Sequence, residues 1–355
     1  YQAARSLSQE VVDFIPGYSL LWFLSQLEYE NSGDSQIFNQ MLESVEQAPR
    51  YLRESSELLS IKIQALAQRG DVEDAEAILA EWKRRAHDLI QINDLASYIA
   101  YQKQDFEGAE KIDSENASLL PSVWRNYNLA VSRYSLGNLK GAMEAIDSAL
   151  KINNKDIFSR QLKAALSMIT GNIAAALQIY AELDIAAMDA PTLANYGVAR
   201  LLEQEWDAAK ILFEQAVSLN PTIPLHHLLL GDVQNLAGQD KLAEESYRRV
   251  VELSSEVVDP SDHSAYGQAL AQLGQYRESL RIIDQAKIQF PNNSDVLYAA
   301  ALVQVLAGNL EMAMVEIERL SSLDFHPVWF DFVWFEPLCH THGFKSLIQP
   351  QKICG

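Results

Sequence analysis

Small and apolar positions recur along most of this chain at a spacing that neither a single strand nor a single helix produces. Aligned on a small turn residue, Gly33, Gly70, Gln104, Gly137, Gly171, Gln204, Gly238, Gly274 and Gly308 fall into register, with separations of 37, 34, 33, 34, 33, 34, 36 and 34. Five positions after each stand Phe38, Ala75, Ala109, Ala142, Ala176, Ala209, Ala243, Ser279 and Ala313, seven of the nine being Ala. Nine positions after the turn residue come larger apolar groups, among them Leu79, Ile146, Tyr180, Phe213, Tyr247, Ile283 and Ile317. This pairing predicts a helical hairpin. The turn residue closes the first helix in the left-handed region, the small residue lets the two backbones approach, and the larger group fills the hairpin interior. Pro221 and Pro291, with Asn153 and Asn154 elsewhere, stop the second helices. A period of this length predicts a stacked array in which each unit packs on its neighbours.

These units resemble tetratricopeptide repeats (TPR). The stretches Lys103-Gln104-Asp105-Phe106-Glu107-Gly108-Ala109 and Gln204-Glu205-Trp206-Asp207-Ala208-Ala209 are close to the family pattern, and Trp22, Tyr29 and Gly33 stand at its mutual spacing of seven and four. Phe213, Ala216 and Pro221 in the sixth unit are similar too. The resemblance covers residues 1–324 and implies an all-α, right-handed TPR superhelix, an α-solenoid of about nine helix-turn-helix repeats. Ahead of the first full unit, Ala4, Val11 and Pro16 have the spacing of a second half-repeat, so the chain is expected to be a piece of a larger bacterial protein. Asp113 and Asn116 stand where apolar residues are expected, which predicts a joint near 109–121. After Asp324 the periodicity stops, and residues 325–355, with Trp329, Phe330, Phe332, Trp334 and Phe335, read as an aromatic C-terminal cap over the last open repeat face. The run FEPLCHTHGFKSLI within it resembles the ends of TPR regions in bacterial regulatory proteins.

Charge changes the partner classes. With 28 Lys plus Arg against 48 Asp plus Glu, the formal net charge is -20, which argues against a phosphate-backbone partner. The longest apolar run, Leu297 to Ala307, is interrupted by Gln304 and is too short to span a bilayer, so no membrane insertion is expected. A cytoplasmic location is favoured over a periplasmic one. Catalytic motifs are absent: there is no phosphate-binding glycine loop, no His-Glu-x-x-His and no Gly-x-Ser-x-Gly. No enzyme activity, cofactor or metal is therefore expected. The two cysteines, Cys339 and Cys354, stand near His340 and His342 and leave three readings open: ordinary cap residues, a disulfide, or a zinc site with cramped spacing. His226 and His227 are adjacent on a first helix and so point to different faces, which suits packing better than metal. Arg133 and Arg200, four residues before their turn residues, are expected to snorkel at the hairpin edge.

What remains is the inner surface. The TPR resemblance implies that the first helix of each unit lines a concave groove through positions thirteen, ten, six and three before the turn residue. In the fourth and fifth units these include Trp124, Tyr127, Tyr134, Phe158 and Gln161, and no Lys or Arg occurs among the inward positions of the eight units so counted. TPR adaptors that hold acidic chaperone tails need cations there. A neutral or basic protein or peptide is thus the expected partner, with the four rings as anchors and Gln161 as a hydrogen-bonding group. The competing reading is that neighbouring helices bury these rings. The expected function is a non-enzymatic interaction scaffold. The alternatives are the sensory or regulatory TPR region of a transcription regulator, kinase or cyclase, or a TPR region appended to a transferase.

Overall fold

A computed structural model describes residues 14–32, 34–85, 89–254, 260–323, 325–350 and 352–354. It is all-helical, with no strand among the described residues. The half-repeat expected from Ala4 and Val11, and the turn residue Gly33, lie outside the described residues. The chain divides into two units, Tyr1–Lys163 and Ala164–Gly355.

The first unit contains four hairpins: α1 (Ile15–Ser32) with α2 (Ile37–Gln47), α4 (Ser56–Arg69) with α5 (Val72–Arg85), α6 (Leu89–Gln102) with α7 (Phe106–Leu119), and α8 (Val123–Ser135) with α9 (Leu139–Ile152). A single helical turn, α3 (Arg50–Arg53), joins the first two. The boundary between units falls within α10 (Ile157–Ile169), which is followed by α11 (Ile173–Ala181). The second unit continues with α12 (Ala190–Leu202) and α13 (Trp206–Leu219), α14 (Pro224–Leu236) and α15 (Asp240–Leu253), α16 (Pro260–Gln272) and α17 (Tyr276–Gln289), and α18 (Ser294–Leu306) and α19 (Leu310–Ser321).

The turn chemistry explains why each hairpin closes where it does. All eight described turn residues have positive φ, from Gln104 at 60° to Gly70 at 101°. Each hands two backbone amides to the last turn of the first helix. In the fourth unit Gly137 N donates to Tyr134 O at 2.8 Å and Asn138 N to Arg133 O at 2.9 Å, satisfying carbonyls that the helix end leaves open. In the third, fourth and fifth units the next residue also caps the second helix: the Asp105 side chain accepts from Gly108 N at 3.0 Å, Asn138 from Gly141 N at 2.9 Å and Asn172 from Ala175 N at 3.2 Å. The residues five positions after the turns, Phe38 through Ala313, are all buried, as are Ile146, Tyr180, Phe213, Tyr247, Ile283 and Ile317 inside their hairpins.

Two further features set the packing. Gly197, Gly231 and Gly267, each seven residues before a turn residue, are where a first helix meets the large group of its second helix: a Cβ on Gly231 would lie 2.7 Å from the Tyr247 ring. Over the stretch where a joint is expected, α7 runs unbroken to Leu119 and its polar positions are paired. Asp113 accepts from Ser132 of α8, while Asn116 donates to Asp94 of α6 at 3.0 Å. Arg125 of α8 holds both oxygens of that same Asp94, at 3.2 and 2.8 Å. Burial pushes the Asp113 carboxyl up, against the pull of the Ser132 and Ser97 hydroxyls.

Residues beyond α19 form two 3₁₀ stretches, Pro327–Phe330 and Val333–His340, then a short helix, α20 (Phe344–Ile348). Phe330, Phe335, Leu338, Phe344 and Ile348 are buried in one cluster with Leu201 and Leu202 of α12, Leu302 and Val305 of α18 and Met314 of α19. The two cysteines are joined, Cys339 to Cys354, with their Cα atoms 5.4 Å apart. Of the three readings of these cysteines, the disulfide is the one the structure adopts, and it replaces the expectation of ordinary free cap thiols. His226 and His227 pack with their rings against backbone carbonyls, Nδ1 of His226 3.4 Å from Asn220 O and Nε2 of His227 2.9 Å from Pro221 O. Burial holds both below the usual histidine range.

Candidate functional site

The inward positions behave differently in the two units. In the first, three of the four predicted rings stand in solvent. Trp124 is 59% exposed, Phe158 57% and Tyr134 43%, while Tyr127 is half-buried, so neighbouring helices bury none of the four completely. Trp124 stacks on Tyr127 with centroids 5.6 Å apart and ring planes only 13° from parallel. Such a pair presents one broad apolar plate held flat by its own contact.

Local sequence accounts for where the plate sits. Ser122 caps α8 by accepting from Arg125 N at 3.2 Å, which starts the helix one residue before the ring pair. Trp124 and Tyr127 are three apart and Tyr134 a further seven, so all three share one helical face while Asn126, Leu129 and Ala130 turn inward and are buried. The Asp94–Arg125 pair clamps this end of α8 to α6. Phe158 opens α10, the next first helix, and Gln161, half-buried, follows one turn later. Arg133 lies at the hairpin edge, donating to Glu110 at 3.0 Å and to Gly141 O at 3.2 Å.

The third repeat contributes residues that the sequence reading left out. Counting back from Gln104 gives Gln91, Asp94, Tyr98 and Tyr101. Tyr101 is exposed. Tyr98 donates to Gln68 of α4, its phenol held well above the ordinary range by burial. Gln91 donates to Ser60 at 2.9 Å. Hydrophobic pattern alone hides this helix because two of its four inward positions, Gln91 and Asp94, are polar. In the first repeat Leu20, Phe23 and Leu27 are exposed at inward positions of α1.

In the second unit many of the corresponding positions are covered, although Pro191, Leu225 and Asn235 are exposed. Ala194, Leu201, Leu228, Leu302 and Val305 are buried, and Tyr298 lies against Phe325, Phe330 and Phe335 of the terminal segment, with centroids 5.8, 6.0 and 5.6 Å away. Asp232, also inward, is buried and accepts from the Tyr247 hydroxyl at 2.9 Å. Burial raises its carboxyl to about 7 even though that hydrogen bond pulls the other way. Arg200 packs over the Tyr196 ring, 5.0 Å from its centroid, and donates to the phenol and to Glu205, as expected of a residue at the hairpin edge. Among the described residues no group of three or more His, Cys, Asp or Glu is placed to hold a metal ion, and no helix is long and apolar enough to cross a membrane.

Helical hairpins stacked on a buried small residue, with a left-handed turn residue between the helices, define an α-helical repeat array. The array has the fold of tetratricopeptide repeats, and solved structures are similar to it in fold. A chain of the APC/C hetero-tetramer Cut9-Hcn1 matches over 88% of this chain and 59% of its own length, at 15% identity and a TM-score of 0.55. A monomeric mutant of IFIT1 with m7Gppp-AAAA matches over 86% and 80%, at 16% identity and a TM-score of 0.52. A tetratricopeptide repeat protein from Parabacteroides merdae matches over 73% and 97%, at 16% identity and a TM-score of 0.49. At these identities the likeness is one of fold. No family model and no curated protein matches the chain.

Proposed function

We propose that this chain is a non-enzymatic protein-interaction module whose binding face is the aromatic inner surface of the first unit: Trp124, Tyr127, Tyr134 and Phe158, with Gln161 as a polar contact. The observation that carries this reading is the exposed Trp124 ring, stacked on the half-buried Tyr127. A large ring facing water is costly to leave uncovered, and Trp and Tyr are the side chains most enriched where binding energy concentrates. The partner is a neutral or basic protein segment. A net charge of -20 attracts cationic chains, and Arg125 and Arg133, the cations on α8, are engaged by Asp94 and Glu110. The same charge disfavours nucleic acid.

The test selects peptides on the immobilised protein from a random library and titrates them against variants. Peptides carrying apolar side chains and no net negative charge should be enriched. Replacing Tyr127 and Tyr134 together by Ala should weaken them by about 30-fold or more, the effect of losing roughly 2 kcal/mol of anchor energy, with helix content unchanged. Peptides that bind the folded double variant as well as the parent would place the binding face elsewhere.

A further inference from the structure

The inner face of the second unit already has an occupant. Residues 325–350, with Lys352, Ile353 and Cys354, lie across it rather than prolonging the repeat. Tyr298 is boxed by three terminal phenylalanines, and Leu302 and Val305 are buried in the same cluster as Phe330 and Phe335. The segment reaches far back along the unit. Its His326 ring sits on Gly171, the turn residue after α10, where any Cβ would collide with it. Lys352 donates to Leu202 O at the end of α12 and pairs with Glu203 at 3.1 Å.

We propose that this terminal segment is a cis-acting occupant of the second unit's inner face and that the Cys339–Cys354 disulfide is the latch that keeps its last residues, Lys352 to Cys354, against the end of α12. The two ends of the segment are held in different ways. Its first part is anchored by fully buried rings, Phe330 and Phe335. Phe344 and Ile348 are buried too, but beyond Ile348 there are few side chains to bury: Ile353 and Cys354 are half-buried, and Lys352 holds on through its ammonium group and through its amide, which donates to Asp331 Oδ1 at 3.1 Å. Surface polar contacts of this kind contribute little alone. The covalent link, closing a sequence separation of 15, is what makes them persistent.

The opening reaction needs a dithiol. Its thiolate attacks Sγ of Cys354, the less buried sulfur, forming a mixed disulfide and releasing Cys339 as a thiolate that takes up a proton. The second thiol of the reagent then displaces Cys354 as a thiol. Two electrons pass from the reagent, which ends as its own disulfide. In the reduced chain the loop constraint is gone, and the open fraction of the latch rises by about a hundredfold, the factor expected for a loop of this length. The end of α12 that Lys352 covers, Leu202 O and the Glu203 carboxylate, is then released, while Phe330, Phe335, Phe344 and Ile348 stay buried against the repeats.

Hydrogen exchange on the full chain tests this, oxidised, reduced with dithiothreitol and reoxidised, alongside the Cys339→Ser/Cys354→Ser variant. Exchange of the Lys352 amide should quicken about a hundredfold on reduction and recover on reoxidation, and amides of α8 and α9 should not change. Exchange of amides from Val328 to Ile348 should stay slow in both forms. Unchanged exchange at Lys352, or exchange quickened equally from Val328 to Ile348, would overturn the latch. The readout does not involve the Trp124 face, so failure here leaves the proposed function standing.

Discussion

Gly231→Ala is the substitution for which this packing predicts an outcome opposite to the general rule. In a helix interior, replacing Gly by Ala ordinarily stabilises by about 1 kcal/mol, because the backbone entropy of Gly no longer has to be lost. At Gly231 the new methyl would meet Tyr247 Cε1 at 2.7 Å and Cδ1 at 2.8 Å, closer than side-chain atoms approach. The ring cannot move aside freely. It is buried, and its hydroxyl is fixed to the buried Asp232 carboxyl at 2.9 Å. Overpacking of this kind costs about 1–3 kcal/mol, and a ring that turned to avoid it would give up a hydrogen bond to a buried acid worth about 1.5–3 kcal/mol. Set against the propensity gain of about 1 kcal/mol, a net destabilisation of up to about 2 kcal/mol follows. The assay is urea denaturation followed by far-ultraviolet circular dichroism, with exchange of α14 and α15 amides as a local measure, since repeat arrays need not unfold as one unit. Within a Tyr247→Leu background, itself less stable, Gly231→Ala should cost at most half of what it costs in the parent. Stabilisation by Gly231→Ala alone would show that α14 and α15 are not in the close contact described.

Other outcomes follow from the same structure. Gln204→Gly should stabilise by about 0.5–1 kcal/mol in the same denaturation assay, because Gln204 is held at a φ of 61° that glycine adopts without a Cβ penalty. Tyr180→Phe should be neutral or stabilise by up to about 1 kcal/mol, since the buried Tyr180 hydroxyl has no hydrogen-bond partner among the described residues. Asp232→Asn should change the pH dependence of stability. With its folded pKa raised to about 7, the acid contributes fully below about pH 4 and loses up to about 4 kcal/mol as pH rises from 4 to 7, so the Asn variant should gain on the parent between pH 5 and pH 8. The buried neutral pair His226 and His227 acts in the opposite sense, costing stability as pH falls below about 6.5, but it is present in both proteins and drops out of the difference.

The hairpins were legible in the sequence because each is a local event. A left-handed turn residue, a small residue five positions on and a large one nine positions on are enough to fix a helix-turn-helix, and Gln104 and Gln204 kept their places in register despite lacking the glycine that the turn favours. The polar layer of Asp94, Asn116 and Arg125 was harder to read: Asn116 looks like a defect in an apolar stripe until Asp94, 22 residues away, is brought against it. The covering of the second unit's inner face was legible only in part. Aromatic content marks residues 325–355 as a cap over the last repeat, but without periodicity nothing in them says that they reach back to α12. The pairing of Cys339 with Cys354 depends on that same fold-back. The exposed stack of Trp124 on Tyr127 was partly legible: spacing put both rings on one helical face, and only packing could decide that solvent lies over it.

The most direct test of the account places a photo-crosslinking benzoylphenylalanine in turn at Tyr127, at Phe158 and at the outer-face residue Glu144 of α9, which is exposed, in an otherwise unchanged chain, with a peptide selected by binding to the parent protein. The account predicts covalent capture of the peptide from positions 127 and 158 and none from 144, with capture at 127 lost when Trp124 is also replaced by Ala. Capture from 144 alone, or capture at 127 indifferent to the loss of Trp124, would contradict it.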